Sequence, residues 1–143
     1  MNAKPSEIST LVGIIDPDAY AAGDVSSGWV DMGDYNAIQA IVCAGTLGAS
    51  ATLDAKLEQA TDGSGTGVKD ITGKAITQMV KASNDDDQAI IELRDDELDV
   101  ENSFTHVRVT MTVGTATSDA GAFVLGHYAR YTPTPLASVQ EIV

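Results

Sequence analysis

The chain has 143 residues, of which 43% are hydrophobic, 20% charged and 5% aromatic. That length suits one domain whose core needs no disulfide or metal to fold, and the composition excludes wholesale disorder, a collagen repeat and a disulfide scaffold. Eight Lys and Arg against 21 Asp and Glu give a formal charge of −13, which argues against nucleic acid or an anionic membrane as a partner, because phosphate contacts need clustered cations.

The amino terminus lacks the charged-then-apolar order of a secretory signal, and no stretch approaches the roughly 20 apolar residues that span a bilayer. The expectation is a soluble product made in the cytoplasm. Proline occurs only at positions 5, 17, 133 and 135. Residues 18–132 therefore read as the core of a single domain, with a flexible amino-terminal arm over 1–17 and a flexible tail over 133–143. Trp29 and Val30 begin an edge strand. Ala37 to Ala44 and Gln88 to Leu93 are almost continuously apolar, which predicts central strands buried on both faces. The single cysteine, Cys43, lies in the first of these runs and reads as a small buried hydrophobe.

From Ala51 to Gln59 the pattern alternates. Leu53, Ala55 and Leu57 share one face, and Thr52, Asp54, Lys56 and Glu58 the other. Asp62-Gly63-Ser64-Gly65 then predicts a reversal with a long flexible tip, and Val68 to Ile71 runs back as the antiparallel partner. Ala75 to Ala82 reads as a strand or a single helical turn, and Asp95 to Glu101 as a tight connection or 3-10 turn. Phe104 to Val113 alternates again, with Thr105, Val107, Val109, Met111 and Val113 as the core set, and Gly121 to Tyr131 closes the domain. These seven to nine short strands predict an all-β fold, an antiparallel β-sandwich or jelly roll with short flexible terminal segments.

The motifs that suggest chemistry fall short of it. Gly63, Gly65, Gly67, Gly73 and Lys74 miss the spacing of a phosphate loop, and Ala75 stands where that loop needs Ser or Thr. The acidic runs at Asp85–Asp87 and Asp95–Asp99 lack the glycine and distant glutamate of a calcium loop. His106 and His127 sit on strands with no adjacent nucleophile. No catalytic, metal or cofactor residue is assigned, and the chain is not expected to be an enzyme. A carbohydrate-binding sandwich would want several exposed aromatic platforms, for which only Trp29 and four tyrosines are available.

Trp29-Val30-Asp31-Met32 with Asp34-Tyr35, the strand from Ile38 to Ala44, the block Ala51 to Ala60 with Asp62-Gly63-Ser64-Gly65, and the later segments Ile91 to Arg94, Phe104 to Val113 and Gly126 to Arg130 together resemble small structural proteins of tailed-bacteriophage virions. The resemblance spans about four fifths of the chain and rests on strand rhythm and the hairpin. It implies a capsid decoration or cement protein, a homo-oligomer (dimer or trimer) on the outer capsid surface that reinforces contacts between subunits of the major capsid protein. The alternatives are a tail or head-tail connector component and the carbohydrate-binding module. Ile8, Leu11, Val12, Ile14 and Ile15 of the arm, with Trp29, are the candidate interaction residues. On this reading, removing Met1 to Ile15 weakens attachment and leaves the body folded.

Overall fold

A computed structural model describes residues 2–143. A single helical turn, α1 (Pro5–Ile8), precedes ten strands: β1 (Ser9–Tyr20), β2 (Gly23–Ser26), β3 (Val30–Asp31), β4 (Tyr35–Ala44), β5 (Thr52–Ala60), β6 (Lys69–Ala75), β7 (Met79–Val80), β8 (Gln88–Arg94), β9 (His106–Gly114) and β10 (Ser118–Ala129). They form two sheets. One runs β1-β10-β4-β8, and the other β2-β9-β5-β6, with β3 also on β9 and β7 on β5. All pairings are antiparallel. Apart from the β5–β6 hairpin and its short extension β7, the chain mostly crosses from one sheet to the other, and each sheet interleaves early and late strands. That is the jelly-roll form of the predicted sandwich.

The alternation of β5 explains why the sheets stack. Leu53, Ala55 and Leu57 pair with Val113, Met111 and Val109 of β9, and all six side chains are buried. Ile38, Ala40 and Val42 of β4, with Ala122 and Val124 of β10, meet them from the opposite sheet. Burying each large aliphatic side chain contributes about 1.5–3 kcal/mol, so this layer holds the fold. Glycine shapes it at one point. A Cβ on Gly126 would stand 2.6 Å from the Tyr35 ring, so the missing side chain is what lets the buried tyrosine lie across β10.

Three expectations need correction. The amino-terminal arm is largely a strand: β1 pairs along β10 from Ser9 to Tyr20, with irregularities between Leu11 and Gly13 and between Ile15 and Asp18. Pro17 is tolerated because it falls in the second irregularity of a sheet-edge strand, where its missing N–H breaks no ladder. β8 is an edge strand and not a central one. Within 75–82, Ala75 ends β6 and Met79–Val80 form the short strand β7, the strand alternative read from sequence. The hairpin tip is closed by hydrogen bonds: Asp62 Oδ1 accepts from the backbone N–H of Ser64 at 2.9 Å and of Thr66 at 3.1 Å, and Thr61 N–H donates to Thr66 O at 3.0 Å. The expected turns after β8 are present as 3-10 segments at Asp95–Glu97 and Val100–Asn102. Residues 133–143 carry no regular structure, and Leu136 N–H donates to Leu11 O at 3.0 Å, at the edge of β1.

Candidate functional site

The two outward faces of the sandwich differ in chemistry. On the six-stranded sheet the outer face is polar and internally paired. Glu58 Oε2 accepts from Arg108 Nε and from Thr110 Oγ1, each at 2.8 Å, and Lys56 Nζ lies 3.4 Å from Oε1. Burial pushes the Glu58 carboxyl up, but the Thr110 hydroxyl, the Arg108 guanidinium and Lys56 outweigh that, and the group titrates below its ordinary range. The Arg108 guanidinium stacks 4.6 Å above the Trp29 ring. From the hairpin tip Gly65, at φ +84°, packs so closely that a Cβ would come 3.0 Å from the indole Nε1. Trp29 is thus half-buried between Arg108 and a loop, which makes it a poor platform for a ligand.

On the four-stranded sheet the outer face is apolar. Cross-strand register aligns Ile14 of β1, Phe123 of β10, Ile41 of β4 and Ile90 of β8 in one row across all four strands. The next row begins Leu11, Leu125, and ends in Gln39 and Glu92, which share a 3.2 Å hydrogen bond. Ile90 is 57% exposed and the other members of the first row are half-buried. β4 contains no Asp, Glu, Lys or Arg, and in β10 the only such residue is Asp119. In a chain of charge −13 the middle of this face, β4 and most of β10, carries no charge, while Glu92 and Arg94 stand on the edge strand β8. Shallow depressions flank it. One of about 480 Å³ is lined by Pro17, Cys43, Gly121 and Phe123, and one of about 510 Å³ by Ala37, Gln39, Arg94, His127 and Tyr128. Tyr128 holds a left-handed backbone, φ +53°, that strains a bulky side chain. Its carbonyl accepts from Asn36 Nδ2 at 2.6 Å and its ring is 66% exposed.

No family model matches this sequence, and no curated protein matches it. Among solved structures the chain is similar to one in the cryo-EM structure of Broad Bean Stain Virus, with a TM-score of 0.50 and 7% identity over 95% of this chain and 97% of that one. It is also similar to a chain of infectious bursal disease virus, strain Gt, at a TM-score of 0.43 and 11% identity, covering 87% of this chain and 33% of that one. For a Cowpea Mosaic Virus empty virus-like particle the TM-score is 0.40 and the identity 9%, over 99% and 95% of the two chains. The first of these likenesses shows a shared fold.

The apolar face absorbs only part of the interaction set read from sequence. Leu11 and Ile14 belong to it. Ile15 does not: it is 2% exposed and packs in the core, so it has no side chain to offer a neighbour. Val12 also turns inward and packs partly against the core, because the irregularity at Leu11–Gly13 puts two successive residues on that side. Ile8 is half-buried at the end of α1, and Trp29 lies on the opposite sheet's side of the molecule. The residues that sequence reasoning missed are Ile41, Ile90, Phe123 and Leu125. For Ile41 and Ile90 the signal lies in the nearly continuous apolar runs of β4 and β8, which read as strands covered on both faces; among the described residues only one face is covered, and Phe123 and Leu125 lie on β10. The two histidines stand apart. His106, on β9, has Nδ1 2.9 Å from Thr105 Oγ1 and Nε2 3.9 Å from Asp31, while His127, on β10, lies beside Tyr128 with ring centroids 6.3 Å apart. Among the described residues no group of three or more His, Cys, Asp and Glu is placed to hold a metal ion.

Proposed function

We propose that this protein is a structural component of a tailed-bacteriophage virion, a decoration or cement protein that binds on the outer capsid surface across subunits of the major capsid protein and acts by binding and not by catalysis. The observation that carries the reading is the open apolar row Ile14–Phe123–Ile41–Ile90 on a strongly acidic jelly roll. An apolar face of that width on one side, opposite a polar face that satisfies its own hydrogen bonds, is the asymmetry of a molecule built to be covered once. The acidity supports an outer position, because it repels packaged DNA. The likeness in fold to a chain of Broad Bean Stain Virus supports a virion role in general, and its coverage of 97% of that chain favours a second reading, a jelly roll that builds the shell itself.

Both readings are tested by mixing the purified protein with expanded empty heads that lack it and sedimenting the particles. A decoration protein co-sediments at a saturable copy number and raises the temperature at which the heads rupture. A shell-building protein forms closed particles when expressed alone. Failure to co-sediment, with no particles formed, refutes both.

A further inference from the structure

We propose that Lys74 and Glu97 together close the free edge of β8, standing in for the backbone partners of a missing strand, and that without them this edge pairs with the same edge of a second copy. The argument starts from which backbone groups of β8 are free. Its ladder partner is β4, on one side only. On that side Asp87 C=O accepts from Ala44 N–H, so the odd positions that follow, 89, 91 and 93, bond to β4. The even ones, Gln88, Ile90, Glu92 and Arg94, turn their N–H and C=O groups to the open edge. Lys74 Nζ reaches over from β6, in the other sheet, and donates to Glu92 C=O at 2.8 Å. Arg94 N–H donates to Glu97 Oε2 at 2.8 Å, and the Lys74 ammonium lies 2.8 Å from Glu97 Oε1. A strand added in either direction would have to offer an N–H to Glu92 C=O and a C=O to Arg94 N–H. The ion pair already supplies a donor and an acceptor at those two points, in the polarity the backbone requires.

The other sheet edges are broken by different means, which leaves β8 as the one that needs a cap. β1 has two irregularities, Pro17 in the second, and the tail bonds to it at Leu11 O. β2 is four residues long. The register of β6 on β5 breaks between Asp70 and Ala75, where Gly73 takes φ +77°; Lys74 falls in that break and crosses to β8. β8 is in unbroken register over seven residues, contains Ala89-Ile90-Ile91 and no proline, and leaves Ile90 57% exposed, the kind of edge to which another chain adds. With Glu92 C=O and Arg94 N–H occupied, the run still open is Gln88 to Ile91, shorter than the usual strand of about 5–6 residues. The bond from Lys74, and after it that from Arg94 N–H, hold the Glu97 carboxyl below its ordinary range, so the pair is charged at neutral pH.

The test uses the full chain, needs no capsid and does not depend on the virion reading. Amide exchange is followed residue by residue by NMR, at low and high protein concentration. The natural chain is compared with Lys74→Ala, Glu97→Ala, Lys74→Arg and the exchanged pair Lys74→Glu with Glu97→Lys. In the natural chain the Arg94 amide is expected to exchange roughly tenfold more slowly than that of Ile90 on the same open edge, with neither rate depending on concentration. Glu97→Ala should abolish that difference. So should the exchanged pair, which keeps an ion pair but sets a carboxylate against a carbonyl and an ammonium against an N–H. In both alanine variants the Ile90 and Glu92 amides should slow by roughly tenfold as concentration rises, with dimers appearing in sedimentation velocity, while Lys74→Arg keeps the donor and behaves as the natural chain does. Three results overturn the proposal: an Arg94 amide no slower than that of Ile90 in the natural chain, an exchanged pair that retains the natural protection, or folded alanine variants whose Ile90 and Glu92 amides ignore concentration. Circular dichroism establishes that the variants are folded, and the first comparison needs no variant.

Discussion

Replacing Glu58 by glutamine isolates what one buried charge contributes to this fold. The residue is 9% exposed, and its Oε2 is the meeting point of two donors, Arg108 Nε and Thr110 Oγ1. Glutamine keeps an oxygen at that point and removes the charge. A hydrogen bond to a charged group contributes about 1.5–3 kcal/mol and a neutral one about 0.5–1.5 kcal/mol, and the partial exposure of Arg108 screens part of the difference, so the cost at neutral pH is about 1–2 kcal/mol. For a chain of this size that lowers Tm by roughly 3–6 °C. The pH dependence makes the test specific. Glu58 titrates lower in the folded chain than in the unfolded one, so its contribution is fully present above the unfolded pKa of about 4.3 and is lost as pH falls through the folded value. Urea unfolding of the natural chain and of Glu58→Gln, followed by circular dichroism from pH 7 down to the lowest pH at which both fold, should show a gap that closes in acid. The other carboxylates held low by their partners, Asp62, Asp85, Glu97 and Asp99, are common to both proteins and cancel in the difference. A gap of the same size at pH 7 and in acid would refute the assignment of this stabilisation to the charge.

Three further outcomes follow from particular contacts. Deleting residues 1–17 should prevent cooperative unfolding altogether, because it removes most of β1, its ladder to β10 and the buried Ile15; a deletion variant with a normal melting transition would contradict the strand assignment. Gly126→Ala should cost about 1–3 kcal/mol in urea and alter the near-ultraviolet signal of Tyr35, whose ring occupies the space the new methyl needs. Tyr128→Gly should leave Tm unchanged or raise it, since glycine adopts φ +53° without strain; a lower Tm would show that the ring packs for stability.

Much of the body was legible from residue order, for a physical reason. β5 and β9 each have one wet and one dry side, so period-two alternation exposes both the strand and its face, and Leu53, Leu57, Val109 and Met111 are all in the core as expected. The arm is hidden by Pro17, which by itself signals the end of a strand. Pro17 in fact sits in an irregularity of an edge strand, and nothing local tells residues 9–20 that β10, more than a hundred residues later, will pair with them. The position of β8 failed for the same reason: strand order is a long-range property, and an apolar hexamer looks alike at the edge and in the middle of a sheet. Tyr128 carries no local signal: nothing in its neighbours calls for φ +53°, and its carbonyl accepts from Asn36, far away in the chain.

The candidate site shows how a wrong local inference can hold a correct global one. Ile38, Ile41 and Val42 in β4, with Ile90, Ile91 and Leu93 in β8, are what a strand needs when both its faces are dry. Ile38, Val42, Ile91 and Leu93 are buried by the opposite sheet, but Ile41 and Ile90 point the other way, and no part of the described chain buries Ile90. The proposed function accounts for this pattern by a partner that covers the row, of which Ile90 is the most exposed member. The charge distribution points the same way. Of the 21 acidic residues, this sheet carries Asp16 and Asp18 on β1, Glu92 on β8 and Asp119 on β10, so the charge that repels non-specific contacts is thinnest over β4 and most of β10. On the proposed function, a surface that is apolar in one place and acidic around it limits association to that place, which suits a protein that adds once to an ordered assembly without aggregating on the way.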